Sequence, residues 1–171
     1  MKTENIPSNR ARHPALDGFD RKILGALVAD AGQSYAQLGA QVGLSAPAVH
    51  ERVKRLRAAG HIRGTHANIS PEAAGKPLLA FVHVDTVGWG KSAALMAMAR
   101  HPEIEEIHSV AGDTCMLLKV RTAGSDALEH LLAQLYALDE VTATRSYIAL
   151  TSYLERPVQA EVTEDWPKPY G

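Results

Sequence analysis

Gly43 separates two short segments of helical periodicity, and this arrangement constrains the fold more than any other feature of the chain. Before it, Leu38 and Val42 lie one turn apart; after it, Val49, Val53 and Leu56 follow at spacings of four and three. Both segments read as amphipathic helices, each opened by a serine N-cap, Ser34 and Ser45. Pro47 falls in the first turn of the second, where a missing N–H costs little. Gly43 supplies the permissive backbone that a tight turn needs. An earlier helix begins at the N-cap Asp17, with Asp20 at its third helical position. It carries Phe19, Ile23, Leu24, Leu27 and Val28 on one apolar stripe and ends at Asp30-Ala31-Gly32. Two helices joined by a glycine turn form the helix-turn-helix pattern, whose second helix enters the major groove of DNA. The pattern implies a gene-regulatory protein rather than an enzyme.

Charge supports that reading. The net charge of −1 hides an asymmetry: residues 1–66 sum to +5 and residues 67–171 to −6. A basic first part beside an acidic second part suits a nucleic-acid-binding module joined to one with another task. Lys54, Arg55, Arg57 and Arg63, with Arg10 and Arg12 nearer the start, are candidates to neutralise phosphates. Such contacts hold a protein on the duplex but carry little sequence information. Base reading falls to the outward residues near the start of the third helix: Ser45, Pro47, Ala48, His50 and Glu51. Glu51 can accept from a cytosine amino group or pair with Arg55 at i+4. Arg52, nearer the buried side, is expected to be structural. This helix stops at Gly60, and residues 62–69 alternate loosely as a strand or an extended linker.

The second half has a different rhythm. Residues 78–86, 104–111, 114–122 and 141–151 read as strands, and residues 91–100 as a helix. Ser125 caps a further helix bearing Leu128, Leu131, Leu132, Leu135 and Leu138. The order βαββαβ predicts a ferredoxin-like sheet with both helices on one face. Met116, Leu118 and Val120 would then face the helices, leaving Leu117 and Phe81 on an uncovered face that implies a partner, most simply a second copy. The whole chain is thus α+β: a helix-turn-helix, winged-helix-like domain followed by a ferredoxin-like domain. The expected divisions are a flexible basic arm at 1–14, the DNA-binding domain at 15–61 and a linker strand or hairpin at 62–76. An effector-binding and oligomerisation domain follows at 77–152, then a tail at 153–171.

Gly112-Asp113 reads as a tight hairpin turn, and a turn of this kind can also cradle a carboxylate on its backbone N–H groups. Ala111 leaves room beside it and Thr114 adds a hydroxyl. From the residues alone, a mere hairpin and a ligand cradle both stand.

The chain resembles the leucine-responsive regulatory protein/AsnC family of feast-famine transcription regulators over nearly its whole length. The resemblance is carried by Leu16-Asp17-Gly-Phe-Asp20-Arg-Lys-Ile-Leu24, by Leu38-Gly-Ala-Gln-Val-Gly-Leu-Ser45 and by Arg52-Val-Lys-Arg-Leu56-Arg-Ala-Ala-Gly60-His-Ile62. Val110-Ala-Gly112-Asp113-Thr-Cys-Met-Leu-Leu-Lys119-Val completes it. It implies a sequence-specific regulator of double-stranded DNA that responds to an amino acid or related metabolite and has no other cofactor. It also implies homodimers that assemble into tetramers or octamers. The implied effector site comprises Ala111, Gly112, Asp113, Thr114 and Cys115, with Thr144 and Ser146 as candidates on the last strand. The family hairpin commonly reads Gly-x-x-Asp; here Cys115 occupies the aspartate position, so a thiol replaces the carboxylate that could meet an ammonium group. Asp113 is a possible substitute.

Two other readings compete. One is an architectural protein that wraps DNA with little sequence preference. The other is an enzyme with Cys115 as nucleophile and His108 as base. The eight histidines show no metal-ligand spacing. The lone cysteine, the start without a secretory apolar core and the lack of a membrane-length apolar run point to the cytoplasm, at the bacterial or archaeal nucleoid.

Overall fold

The computed structural model describes residues 15–88 and 92–161, so the expected arm at 1–14 lies outside the described residues. The described residues form two compact units: 15–67 together with 155–161, and 68–88 together with 92–154.

The first unit holds α1 (Gly18–Ala29), α2 (Tyr35–Val42) and α3 (Ala46–Ala58). Local chemistry sets each start. Asp17 accepts from the Asp20 N–H at 2.7 Å while Asp20 accepts from the Asp17 N–H, a reciprocal box. Ser34 and Gln37 repeat that box on α2, and Ser45 caps α3 by accepting from the Ala48 N–H. Gly43 adopts the left-handed conformation (φ 77°, ψ 37°) that ends α2. Ile23, Leu38, Val42, Val49, Val53 and Leu56 close one core. Phe19 and Val28 stay exposed instead, because the faces of α2 and α3 cover only the middle of the expected stripe. Phe19 finds another use: the Arg52 guanidinium lies over its ring, 5.4 Å from the centroid.

The second unit holds β1 (Leu78–Thr86), α4 (Ala93–Ala97, continued by a 3-10 turn at Met98–Arg100), β2 (Ile104–Ser109), β3 (Met116–Thr122), α5 (Ser125–Tyr136) and β4 (Val141–Ile148). The strands form one antiparallel sheet in the order β2-β3-β1-β4, the expected ferredoxin-like topology. Val84 pairs with Met116, Val82 with Leu118 and Ala80 with Val120, so these side chains share one face. They bury against Leu95 and Met98 on one side and Leu128, Leu131 and Leu135 on the other, a single core that fixes both helices to that face.

Of the two alternatives for residues 62–69, they form no strand and run as linker, followed by a turn in which the Lys76 N–H donates to the Pro71 carbonyl at 2.7 Å. Two local expectations change. The cap of α5 is Gly124, not Ser125, which is the first helical residue. The hairpin between β2 and β3 is a six-residue loop, 110–115, closed by the Val110 N–H on the Cys115 carbonyl. Gly112 lies outside the positive-φ region that a tight primed turn requires.

Candidate functional site

The turn ahead of α3 depends on a second glycine that the sequence did not single out. A Cβ on Gly39 would lie 2.5 Å from the Leu44 carbonyl oxygen, so α2 and the turn can approach only because residue 39 has no side chain. Gly39 also accepts, through its carbonyl, from both the Gly43 and Leu44 N–H groups at 2.9 Å.

The five basic side chains of α3 and the following linker divide into two sets. Arg52 Nη1 donates to Asp17 at 2.6 Å and to Asp20 at 2.8 Å. Arg55 Nη2 donates to both Asp20 oxygens, at 2.7 and 2.9 Å. Asp20 is only 3% exposed, so two guanidiniums meet one buried carboxylate and fix α3 to the start of α1. The hydrogen bond from Arg52 holds the Asp17 carboxyl below its ordinary range, and Asp17 in turn raises the Arg52 guanidinium. Arg52 is structural, as expected. Arg55, expected on DNA or on Glu51, turns to Asp20 because that buried carboxylate needs charge compensation; Glu51 instead meets His50 at 3.5 Å. The side chains of Lys54, Arg57 and Arg63 have no ion pair or hydrogen bond among the described residues, and all three are exposed.

Around α3, Pro47, His50, Lys54 and Arg57 follow spacings of three, four and three, one exposed stripe away from Val49, Val53 and Leu56. Ser45 and Glu51 are exposed beside it, while Ala48 is half-buried. Tyr35 of α2 packs its ring 5.4 Å from the His50 imidazole and orients it, a contact without a signal in local sequence. The stripe carries small, imidazole and cationic groups, with no carboxylate on its centre line.

In the second unit, loop 110–115 exposes Ala111, Gly112 and Asp113. A Cβ on Gly112 would meet nothing within 4 Å, and its φ is one any residue adopts. Neither packing nor dihedral within this chain therefore demands glycine there. Thr114 turns inward: it is 7% exposed and its hydroxyl donates to the Val84 carbonyl at 3.2 Å, so it is engaged by the sheet. Cys115 is half-buried against the core, its Sγ 3.9 Å from the Thr86 carbonyl. His108 does not meet it; that imidazole pairs with Glu106 at 2.7 Å, and the residue stands opposite Leu117.

Thr144 and Ser146 align with Val84 and Val82 and so share the helix-covered face. The residue between them reaches the loop instead. Arg145 Nη2 donates to the Asp113 carbonyl at 3.3 Å and Nη1 to Asp85 at 3.0 Å. The alternation of β4 puts residue 145 on the open face, a placement visible only once the register is known.

Comparison with known proteins agrees with this geometry. Residues 16–57 match the AsnC-type helix-turn-helix domain, and residues 79–159 match the Lrp/AsnC ligand binding domain. The chain is 36% identical over 143 residues to the HTH-type transcriptional regulator LrpA of Mycobacterium tuberculosis, covering 83% of this chain and 95% of that one. It is 31% identical over 150 residues to the regulatory protein AsnC of Escherichia coli K12, covering 84% and 96%. The solved structure of E. coli AsnC superposes with a TM-score of 0.75 at 30% identity, over 85% of this chain and 99% of that one. A transcriptional regulator from Neisseria meningitidis, solved as an L-Met complex, superposes at 0.77 with 26% identity over 83% and 94%. With an AsnC-type helix-turn-helix domain followed along the sequence by an Lrp/AsnC ligand binding domain, the chain belongs to the Lrp/AsnC family of transcriptional regulators.

Proposed function

We propose that this regulator reads its operator through the Pro47–His50–Lys54–Arg57 stripe and changes its DNA binding or assembly when an amino acid occupies the 110–115 loop. The observation that carries the DNA half is the division of charge on α3: Arg52 and Arg55 are spent on Asp17 and Asp20, leaving Lys54, Arg57 and Arg63 for phosphates. His50, Pro47, Ser45 and Ala48 then lie against base edges.

The bare Gly112 supports the effector half. Its side-chain space opens outward, next to exposed Ala111 and Asp113, and Arg145 offers a guanidinium at the loop. The effector carboxylate sits on the loop backbone and Arg145, and Asp113 meets its ammonium group in place of the thiol at Cys115. The L-Met complex of the neisserial relative supports an amino acid as the ligand class. The open sheet face, with Phe81 37% and Tyr147 56% exposed, supports a homodimer closed face to face, from which larger assemblies grow. The protein acts in the cytoplasm, on the chromosome. Thermal-shift screening of purified protein against the standard amino acids, followed by light scattering with each hit, tests the effector half. A hit that shifts melting and particle size in the natural chain but not in Gly112→Val supports it; no shift with any amino acid overturns it.

A further inference from the structure

Gly25 lies in the interior of α1, where glycine is less favourable than alanine. Neither α2 nor α3 requires it, because a Cβ there would meet only two atoms within 4 Å, Oε1 (2.8 Å) and Cδ (3.8 Å) of Glu161. One turn earlier on the same face, Arg21 Nη1 donates to the Ala160 carbonyl at 3.3 Å. Arg21 and Gly25 thus hold successive residues of one segment against one side of the helix. Ala160 and Glu161 lie past residue 159, where the match to the ligand-binding domain stops. Segment and helix belong to the same compact unit.

We propose that residues 155–161 form a strap across the outer face of α1, seated on Gly25 and pinned by Arg21. Glu161 brings its carboxylate to 2.8 Å from where a Cβ on residue 25 would stand, and the Arg21 guanidinium holds the neighbouring Ala160 carbonyl. The strap gives the DNA-binding helices a second connection to the sheet, since residues 149–154 lead from β4 to it just as residues 62–76 lead from α3 to β1.

Crosslinking of the full chain tests this. In a Cys115→Ala background, Gly25→Cys with Glu161→Cys is oxidised with diamide, using a mixture of light and nitrogen-15-labelled protein so that bonds within and between chains differ in mass. The strap predicts a disulfide within one chain, forming at least tenfold faster than in a control that pairs Glu161→Cys with Ala73→Cys. A bond mainly between chains, or no excess over the control, overturns it. Should the cysteine variants fold poorly, Gly25→Gln in the natural chain gives a second reading, because glutamine favours the helix but occupies the seat. Cleavage by a glutamate-specific protease after Glu161 should then accelerate severalfold, while the melting temperature stays the same or rises. Unaltered cleavage at Glu161 overturns the strap.

Discussion

Arg55 Nη2 donates to both carboxylate oxygens of Asp20, 35 residues earlier in the chain, and thereby ties the outward helix of the DNA-binding unit to the first turn of α1. With Arg52 on the same carboxylate, this contact sets the tilt at which α3 presents its stripe. Asp20→Ala leaves two guanidiniums without their buried partner. The expected loss is about 2 kcal/mol of unfolding free energy, below the roughly 3–5 kcal/mol of a fully buried pair because the Arg55 side chain is 58% exposed. Urea unfolding measures it, and DNA affinity should fall with it.

Charge removal should separate the two sets of basic residues. Lys54→Ala or Arg57→Ala should leave stability within about 0.5 kcal/mol and reduce the slope of log affinity against log salt by about 0.9 for each lost phosphate contact. Arg52→Ala should do the reverse, lowering stability with little change of slope. Anisotropy titrations at several salt concentrations report the slopes.

Acid should weaken the first unit through Asp17. Its carboxyl is held below the usual aspartate value chiefly by the hydrogen bond from Arg52, so the folded state releases this proton more readily than the unfolded one. The stabilisation is present above the unfolded value of about 3.8 and disappears as pH falls through the lower folded value. Glu106, lowered chiefly by its hydrogen bond with His108, adds a change of the same sign in the second unit. Melting temperature measured from pH 6 downward should show an acid limb that Asp17→Asn flattens.

Gly112→Val distinguishes a ligand loop from a structural one. Because φ at 112 is ordinary and the side-chain space is open, stability should change by less than about 0.5 kcal/mol while the response to the effector is lost. Calorimetric titration of the amino acid into natural and variant protein reads the difference.

The helix starts, the Gly43 turn and the two buried stripes were legible because N-caps, left-handed glycines and apolar periodicity are local. Sheet topology followed from the element order βαββαβ, and the face that meets the helices from the alternation of Met116, Leu118 and Val120. What escaped depends on distant partners. Arg55 could not be assigned to Asp20 without the packing of α3 on α1, and Gly39 is explained only by the Leu44 carbonyl that approaches it. The hairpin was drawn too tight because the Thr114 hydroxyl bonds the β1 backbone and takes residues 114 and 115 out of the strand. That Arg145 reaches the loop from the open face while Thr144 and Ser146 share the other face depends on register, which pattern alone left open.

The most direct test of the account is anisotropy of labelled DNA from the region upstream of this protein's own coding sequence, titrated with protein in dilute buffer. The account predicts saturable binding that survives random competitor DNA, weakens steeply with salt and is shallower in slope for Lys54→Ala with Arg57→Ala. Absence of binding under dilute conditions, or binding whose slope ignores both residues, would contradict it.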